Sequence, residues 1–300
     1  MKFIAASTAY LLISHGSRDP RPQAAMDRLA ELVRRQLEKM PRLEKMPGKT
    51  PLAHGETALG EAVPVGARTR KQLGDSSASH SAGGTSVLTR ESLGEEASII
   101  VETACLELAA MPLSDRIYEF AQRLIALGIS ELKLAPIFLM SGVHVMEDIP
   151  AEIAIAQKRL GQSIRLTVCA HLGSHPGIAS VLKQRLTTIP AEGAILVAHG
   201  SRRPKGNKAI QTLTRHIKTS VAYWAVPPDI ETQVIELMQQ GCQKLTILPY
   251  FLFAGGITDA IMHRTEELAE RFPKVQFRLL PTLGATDEVA KLAVELIQAS

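Results

Sequence analysis

The chain has 300 residues, a net charge of +4 with histidines neutral, 45% hydrophobic residues and 4% aromatic ones. That is apolar material for one large or two mid-sized domains, while so few aromatics argue against a base-stacking nucleic-acid surface, and no nucleic-acid partner is expected. No stretch approaches the roughly 20 apolar residues of a membrane span, and the weakly basic balance suits an acidic small molecule without demanding one.

The first element is an apolar strand near 9–14, Tyr10-Leu11-Leu12-Ile13, which ends in Ser14-His15-Gly16-Ser17-Arg18. Cleaving a leader here would remove that strand, so the sequence reads as cytoplasmic. A helix follows, with Met26, Leu29, Leu32, Val33 and Leu37 on one face. From about 40 to 97 the pattern breaks. Leu-Glu-Lys-Met-Pro occurs at 37–41 and again at 43–47, and the rest is rich in Gly, Ser, Thr and charge. This composition buries too little apolar surface to offset ordering, so a disordered surface insertion is expected, and His54 and His80 inside it are not read as ligands.

Strands are expected again near 98–104, 131–136 and 164–169, with Gly128 closing the helix before the third strand. The strand near 98–104 runs on into Cys105-Leu106-Glu107. Pro136-Ile137-Phe138-Leu139 leads through Met140-Ser141-Gly142-Val143 to His144. His171 and His175 have i,i+4 spacing, but Gly173 and Pro176 place them in a turn, which argues against a helical zinc pair.

The second half repeats the first. Ala198-His199-Gly200-Ser201-Arg202 follows the strand at 194–198, Pro249-Tyr250-Phe251-Leu252 matches 136–139, Gly241 matches Gly128, and Gly255 matches Gly142. Strands are expected near 194–198, 221–226, 244–249 and 275–280. Alternating strands and helices define an α/β fold of two duplicated units, each a four-stranded parallel sheet with helices on both faces. The units are expected at 1–190 and 191–300. Cys105, Cys169 and Cys242 form no CxxC and read as small core residues in a reducing compartment.

In such sheets ligands sit beyond the carboxyl ends of the strands. His15, Glu107 and His144 are all expected there. Two imidazoles and a carboxylate can hold a divalent metal with open positions, or take up protons near neutral pH. Singly, each has a plain structural reading, as a polar core residue or a solvated charge; convergence on one rim lifts the functional one. In the second half His199 persists, but Ile257 stands where His144 would be and no acid stands near Tyr223-Trp224-Ala225. His199 is therefore expected to pack and hydrogen-bond rather than to act. Arg18, Arg21, Arg202, Arg203 and Lys205 cluster after the two motifs and could pair with carboxylates or simply solvate helix starts. Phosphoryl transfer through histidine is disfavoured, because Ser14 and Ala198 stand where an arginine would hold phosphate.

His15-Gly16-Ser17-Arg18, Cys105-Leu106-Glu107, Pro136-Ile137-Phe138-Leu139, Gly142-Val143-His144 and Asp148-Ile149-Pro150, together with the repeat, resemble the class II chelatases, namely the long two-unit sirohydrochlorin chelatases of the CbiX/SirB type. The resemblance implies a lyase that inserts a divalent metal into sirohydrochlorin, with iron the first expectation and cobalt the second, toward sirohaem or cobalamin. It implies that His15, His144 and Glu107 handle the metal and the pyrrole protons. Gly16, Ser17, Arg18, Gly142 and Val143 would border the substrate. No cofactor beyond the substrate metal ion is implied, and the partners are sirohydrochlorin and that ion. The protein would be a monomer or a homodimer. The alternative from the same pocket is a non-catalytic metal or tetrapyrrole carrier.

Overall fold

A computed structural model describes residues 8–40, 99–188, 190–203 and 205–300. The expected disordered segment at about 40–97 lies, apart from Met40, outside the described residues. The first repeat runs β1 (Thr8–Ser14), α1 (Pro20–Glu38), β2 (Val101–Cys105), α2 (Leu113–Ala126), β3 (Glu131–Pro136), α3 (Ile149–Leu160), β4 (Arg165–Val168) and α4 (Gly177–Thr187). The second runs β5 (Gly193–Ala198), α5 (Lys208–Ile217), β6 (Ser220–Tyr223), α6 (Ile230–Gln239), β7 (Lys244–Pro249), α7 (Gly256–Arg271), β8 (Gln276–Leu279) and α8 (Asp287–Ala299). Each repeat forms a parallel four-stranded sheet, ordered β2-β1-β3-β4 and β6-β5-β7-β8. The sequence reading of the fold class therefore holds.

The central strands are apolar on both faces because both faces are covered. With the side-chain period of two, Ala9, Leu11 and Ile13 of β1 turn to an outer core with α2 and α3, while Tyr10 and Leu12 turn inward. In β5, Ile195 and Val197 face α6 and α7, and Leu196 and Ala198 face inward. The inward sets share one middle layer, to which α1, α4, α5 and α8 all contribute buried side chains. Met26, Leu29, Val33 and Leu37 of α1 are fully buried there, each worth about 1.5–3 kcal/mol of transfer free energy. Leu32, expected on the same face, is only partly buried.

The last helix of each repeat docks on the other repeat. Helix α8 lies against α1 and β3, and α4 lies against α5, an equivalent pairing. Lys133 Nζ donates to the carbonyls of Ile297 and Ser300 at the end of α8, and Arg185 of α4 donates to those of Thr282 and Leu283. His175 Nε2 stands 3.0 Å from Glu295 of α8, and its Nδ1 accepts from Gly177 N–H. That residue thus ties α4 to α8. Burial lowers the pKa of His171. Of the cysteines, all free, only Cys169 is buried; Cys105 and Cys242 are partly exposed.

No helix among the described residues is long and apolar enough to cross a membrane.

Candidate metal centre

Strand β1 ends at Ser14, and the chain turns sharply through Gly16 at φ +98°. A Cβ on Gly16 would stand 1.9 Å from the carbonyl oxygen of Glu107. The parallel ladder explains that closeness. It continues past β2, with Leu106 N–H donating to Ser14 O at 2.8 Å and Glu107 N–H to His15 O at 2.9 Å. His15 and Glu107 are thereby locked side by side, with 3.8 Å between Nε2 and a carboxylate oxygen.

His144 arrives from the third strand end. After Gly142, whose carbonyl accepts from Val145 and Met146 N–H, the chain enters a π-helical turn, His144–Asp148. The turn carries both His144 and Asp148, and Asp148 Oδ2 lies 2.8 Å from His144 Nδ1. The same nitrogen is 4.0 Å from Glu107, and the two imidazoles meet edge to face with centroids 4.7 Å apart. Phe138 packs 6.4 Å from each ring.

His15, Glu107 and His144 each offer a ligand atom within 4.8 Å of the others. Ligand atoms around one ion stand about 3–3.5 Å apart, so the trio needs to close by only about an ångström to share it. Carbonyls and ionised carboxylates only accept. His15 Nδ1 therefore donates to Gly16 O at 3.3 Å, and His144 Nδ1 donates to Asp148. In the neutral rings Nε2 is left bare on both, free to bind a cation or take a proton. With His15 and Glu107 about half exposed, their mutual attraction alone is weak.

The other sequence-designated residues sort themselves. Gly142 and Val143 join His15 and His144 in lining a cleft of about 560 Å³. Its far wall comes from the second repeat: His199, Gly200, Ser201, Arg203, Tyr250, Phe251 and Leu252. Gly16, Ser17, Arg18 and Glu107 are not part of that lining. Ser17 Oγ accepts from Asp19 N–H, so it shapes the turn before α1. Arg21 is committed elsewhere: it bridges Asp19 and Asp259, at 2.6 Å to each, and holds both carboxyls below the usual carboxylate range. Asp148 is the residue that reasoning from single side chains missed as a participant. Its i,i+4 spacing from His144 was the available signal.

The second repeat keeps the loop and loses the cluster. Gly200 has φ +82° and no room for a Cβ beside Tyr223 and Val226, and His199 Nδ1 donates to Gly200 O as in the first repeat. Ala225 N–H donates to His199 O, so Ala225 occupies the place of Glu107.

Fold and site together define a duplicated α/β protein with an open two-histidine, one-carboxylate cluster at the strand ends. The chain belongs to the CbiX family, whose model matches residues 76–189 and 193–300. The first match begins after α1, so His15 lies outside it and its place in the site rests on the geometry. The chain is 26% identical over 205 residues to a sirohydrochlorin cobaltochelatase of Priestia megaterium, covering 63% of this chain and 65% of that protein, just under two thirds of its length. It is 24% identical over 206 residues to a sirohydrochlorin ferrochelatase of the same organism, covering 64% of this chain and 75% of that one. The structure of SirB from Bacillus subtilis with Fe3+ superposes with a TM-score of 0.65 over 97% of this chain and 94% of that chain, at 16% identity, and shares the fold.

Proposed function

We propose that this protein inserts a divalent metal ion into sirohydrochlorin, iron in the first place and cobalt in the second, on the way to sirohaem or cobalamin. The observation that carries the reading is the meeting of His15, Glu107 and His144, two of which, the histidines, line the cleft. Relatives named as cobaltochelatase and ferrochelatase support the substrate. The choice of iron has no residue behind it, since both ions accept imidazole and carboxylate.

The chemistry asks for a group that strips water from the ion, a group that takes up both inner N–H protons, and a surface for a flat ring. The imidazoles of His15 and His144 and the Glu107 carboxylate bind the ion while leaving positions open for the macrocycle nitrogens. As the ion passes to the ring, the vacated imidazoles become acceptors for the departing protons. Asp148 stabilises the imidazolium that forms on His144. Leu108, Met146 and Trp224, three exposed large apolar side chains, flank the strand-end rim and suit a planar ring.

The test is sirohydrochlorin turnover in anaerobic absorbance assays with Fe²⁺ and Co²⁺ in parallel. Repeated turnovers per chain are expected. Uptake that stops at one equivalent would make the protein a carrier. Asp148→Asn, which keeps the shape but loses the charge, is expected to lower kcat by about 10- to 100-fold; a wild-type rate would remove Asp148 from the mechanism. His199→Ala is expected to stay within about threefold of wild type, because Ala225 and Ile257 leave that ring without partner ligands. A loss as deep as that of His15→Ala would show that the second repeat takes part in the chemistry.

A further inference from the structure

We propose that a basic recess in front of α5 holds carboxylate arms of the tetrapyrrole substrate, an inference that rests on the function proposed above. Arg203, Lys205, Asn207, Lys208, Gln211 and Arg215 line a concavity of about 460 Å³, and Arg203 also lines the cleft. The recess therefore opens beside the place where the ring would lie.

Its charge is the opposite of what the first repeat carries at the same positions. Aligned without gaps on His-Gly-Ser-Arg, the repeats keep register: Met26 falls on Ile210 and Val33 on Ile217, all buried. In that alignment Asp19 becomes Arg203, Arg21 becomes Lys205, Ala24 becomes Lys208, Asp27 becomes Gln211 and Glu31 becomes Arg215. These five positions change from a net charge of −2 to +4.

In the first repeat three cations of the matching segment are paired: Arg21 with Asp19 and Asp259, Arg34 with Glu31 and Glu38, and Arg35 with Glu31, while Arg18 and Arg28 are not paired among the described residues. Among the described residues, none of the four cations of the recess is in an ion pair. Arg215 bonds only neutral groups, Gln211 O and Thr212 Oγ1.

Four unpaired cations in a concavity repel one another until an anion enters. Guanidinium groups favour carboxylates through paired N–H···O bonds, and the exposed Gln211 amide adds a further donor, while Asn207 is held by the Ser201 backbone. A polycarboxylate ring seated in the cleft reaches the recess with arms on one edge, which fixes its rotation over the metal cluster. Arg203, common to both cavities, marks the side from which those arms leave.

The test uses the whole chain carrying Lys208→Glu and Arg215→Glu, both exposed positions, with Lys208→Gln and Arg215→Gln as a milder pair. Binding of metal-free sirohydrochlorin is followed by fluorescence at low ionic strength and again at about 0.5 M salt, where exposed charges are largely screened. The charge-reversed pair is expected to weaken binding roughly tenfold at low salt, with the gap shrinking at high salt and the glutamine pair falling between. Binding of Co²⁺ alone should be unchanged, which separates the recess from the metal cluster. Wild-type affinity in the charge-reversed protein would overturn the recess while leaving the chelatase reading standing, and would also be the result for a recess that takes only free phosphate. Failure of the unaltered protein to bind sirohydrochlorin at all would bring down both.

Discussion

His144→Ala is expected to abolish metal insertion, by about 10³-fold or more in kcat, and to leave the protein folded. In the proposed reaction this imidazole is one of three groups that hold the ion and one of two that accept protons, so its removal takes away both an ion contact and a proton acceptor. Little else depends on it. The π-helical turn that carries His144 has no buried residue, and the Asp148 carboxylate it leaves behind is exposed and can hydrate. The stability change should stay within about 1 kcal/mol. Anaerobic absorbance assays and a thermal melt measure the two halves of the prediction. A fully active variant would defeat the assignment of the site.

Gly16→Ala is expected to damage stability and activity together. The new Cβ would sit 1.9 Å from a backbone carbonyl, and the residue would be held at φ +98°, where a side chain is strained. Neither partner is a flexible side chain that could step aside. Relief requires β1 and the extension of β2 to separate, breaking the bond from Glu107 N–H to His15 O and pulling two of the three ligand groups apart. A cost of about 2–4 kcal/mol is expected from strain and overpacking. It is read as a shift in the urea midpoint, together with loss of Co²⁺ affinity. Gly142→Ala is the counterpart: a Cβ there meets no heavy atom within 4 Å, so stability should change by less than about 0.5 kcal/mol. If Gly16→Ala melted like the parent, the tie between the two strand ends would not exist.

Much of this was legible in the chain itself. Two copies of His-Gly-Ser-Arg after apolar runs set the duplicated sheets, and the matching Pro-Ile-Phe-Leu and Pro-Tyr-Phe-Leu runs fixed the third strand of each. Gly128 and Gly241 close their helices with positive φ, as expected of C-terminal glycines. His15, Glu107 and His144 could be brought together on paper because parallel strands deliver their carboxyl ends to one edge. Other features depend on tertiary partners that periodicity does not encode. An apolar helix face shows that α4 and α8 are buried, not that each is buried by the opposite repeat. Arg21 reads as a free cation until Asp259, 238 residues away, is placed beside it. Asp148 gains a role only once its carboxylate is seen 2.8 Å from His144 Nδ1, although the i,i+4 spacing hinted at the pair.

The covalent link between repeats has a consequence for how such a site can diversify. A symmetric dimer carries every residue twice, so an anion-binding arginine at one position must also appear where an aspartate is needed on its twin. Here the loop from α4 to β5 removes that compulsion, and Asp19 and Arg203 stand at matching places with opposite signs. One lobe is free to keep the reactive atoms while the other becomes a handle for the cargo, and the exchanged helices keep the two from drifting apart.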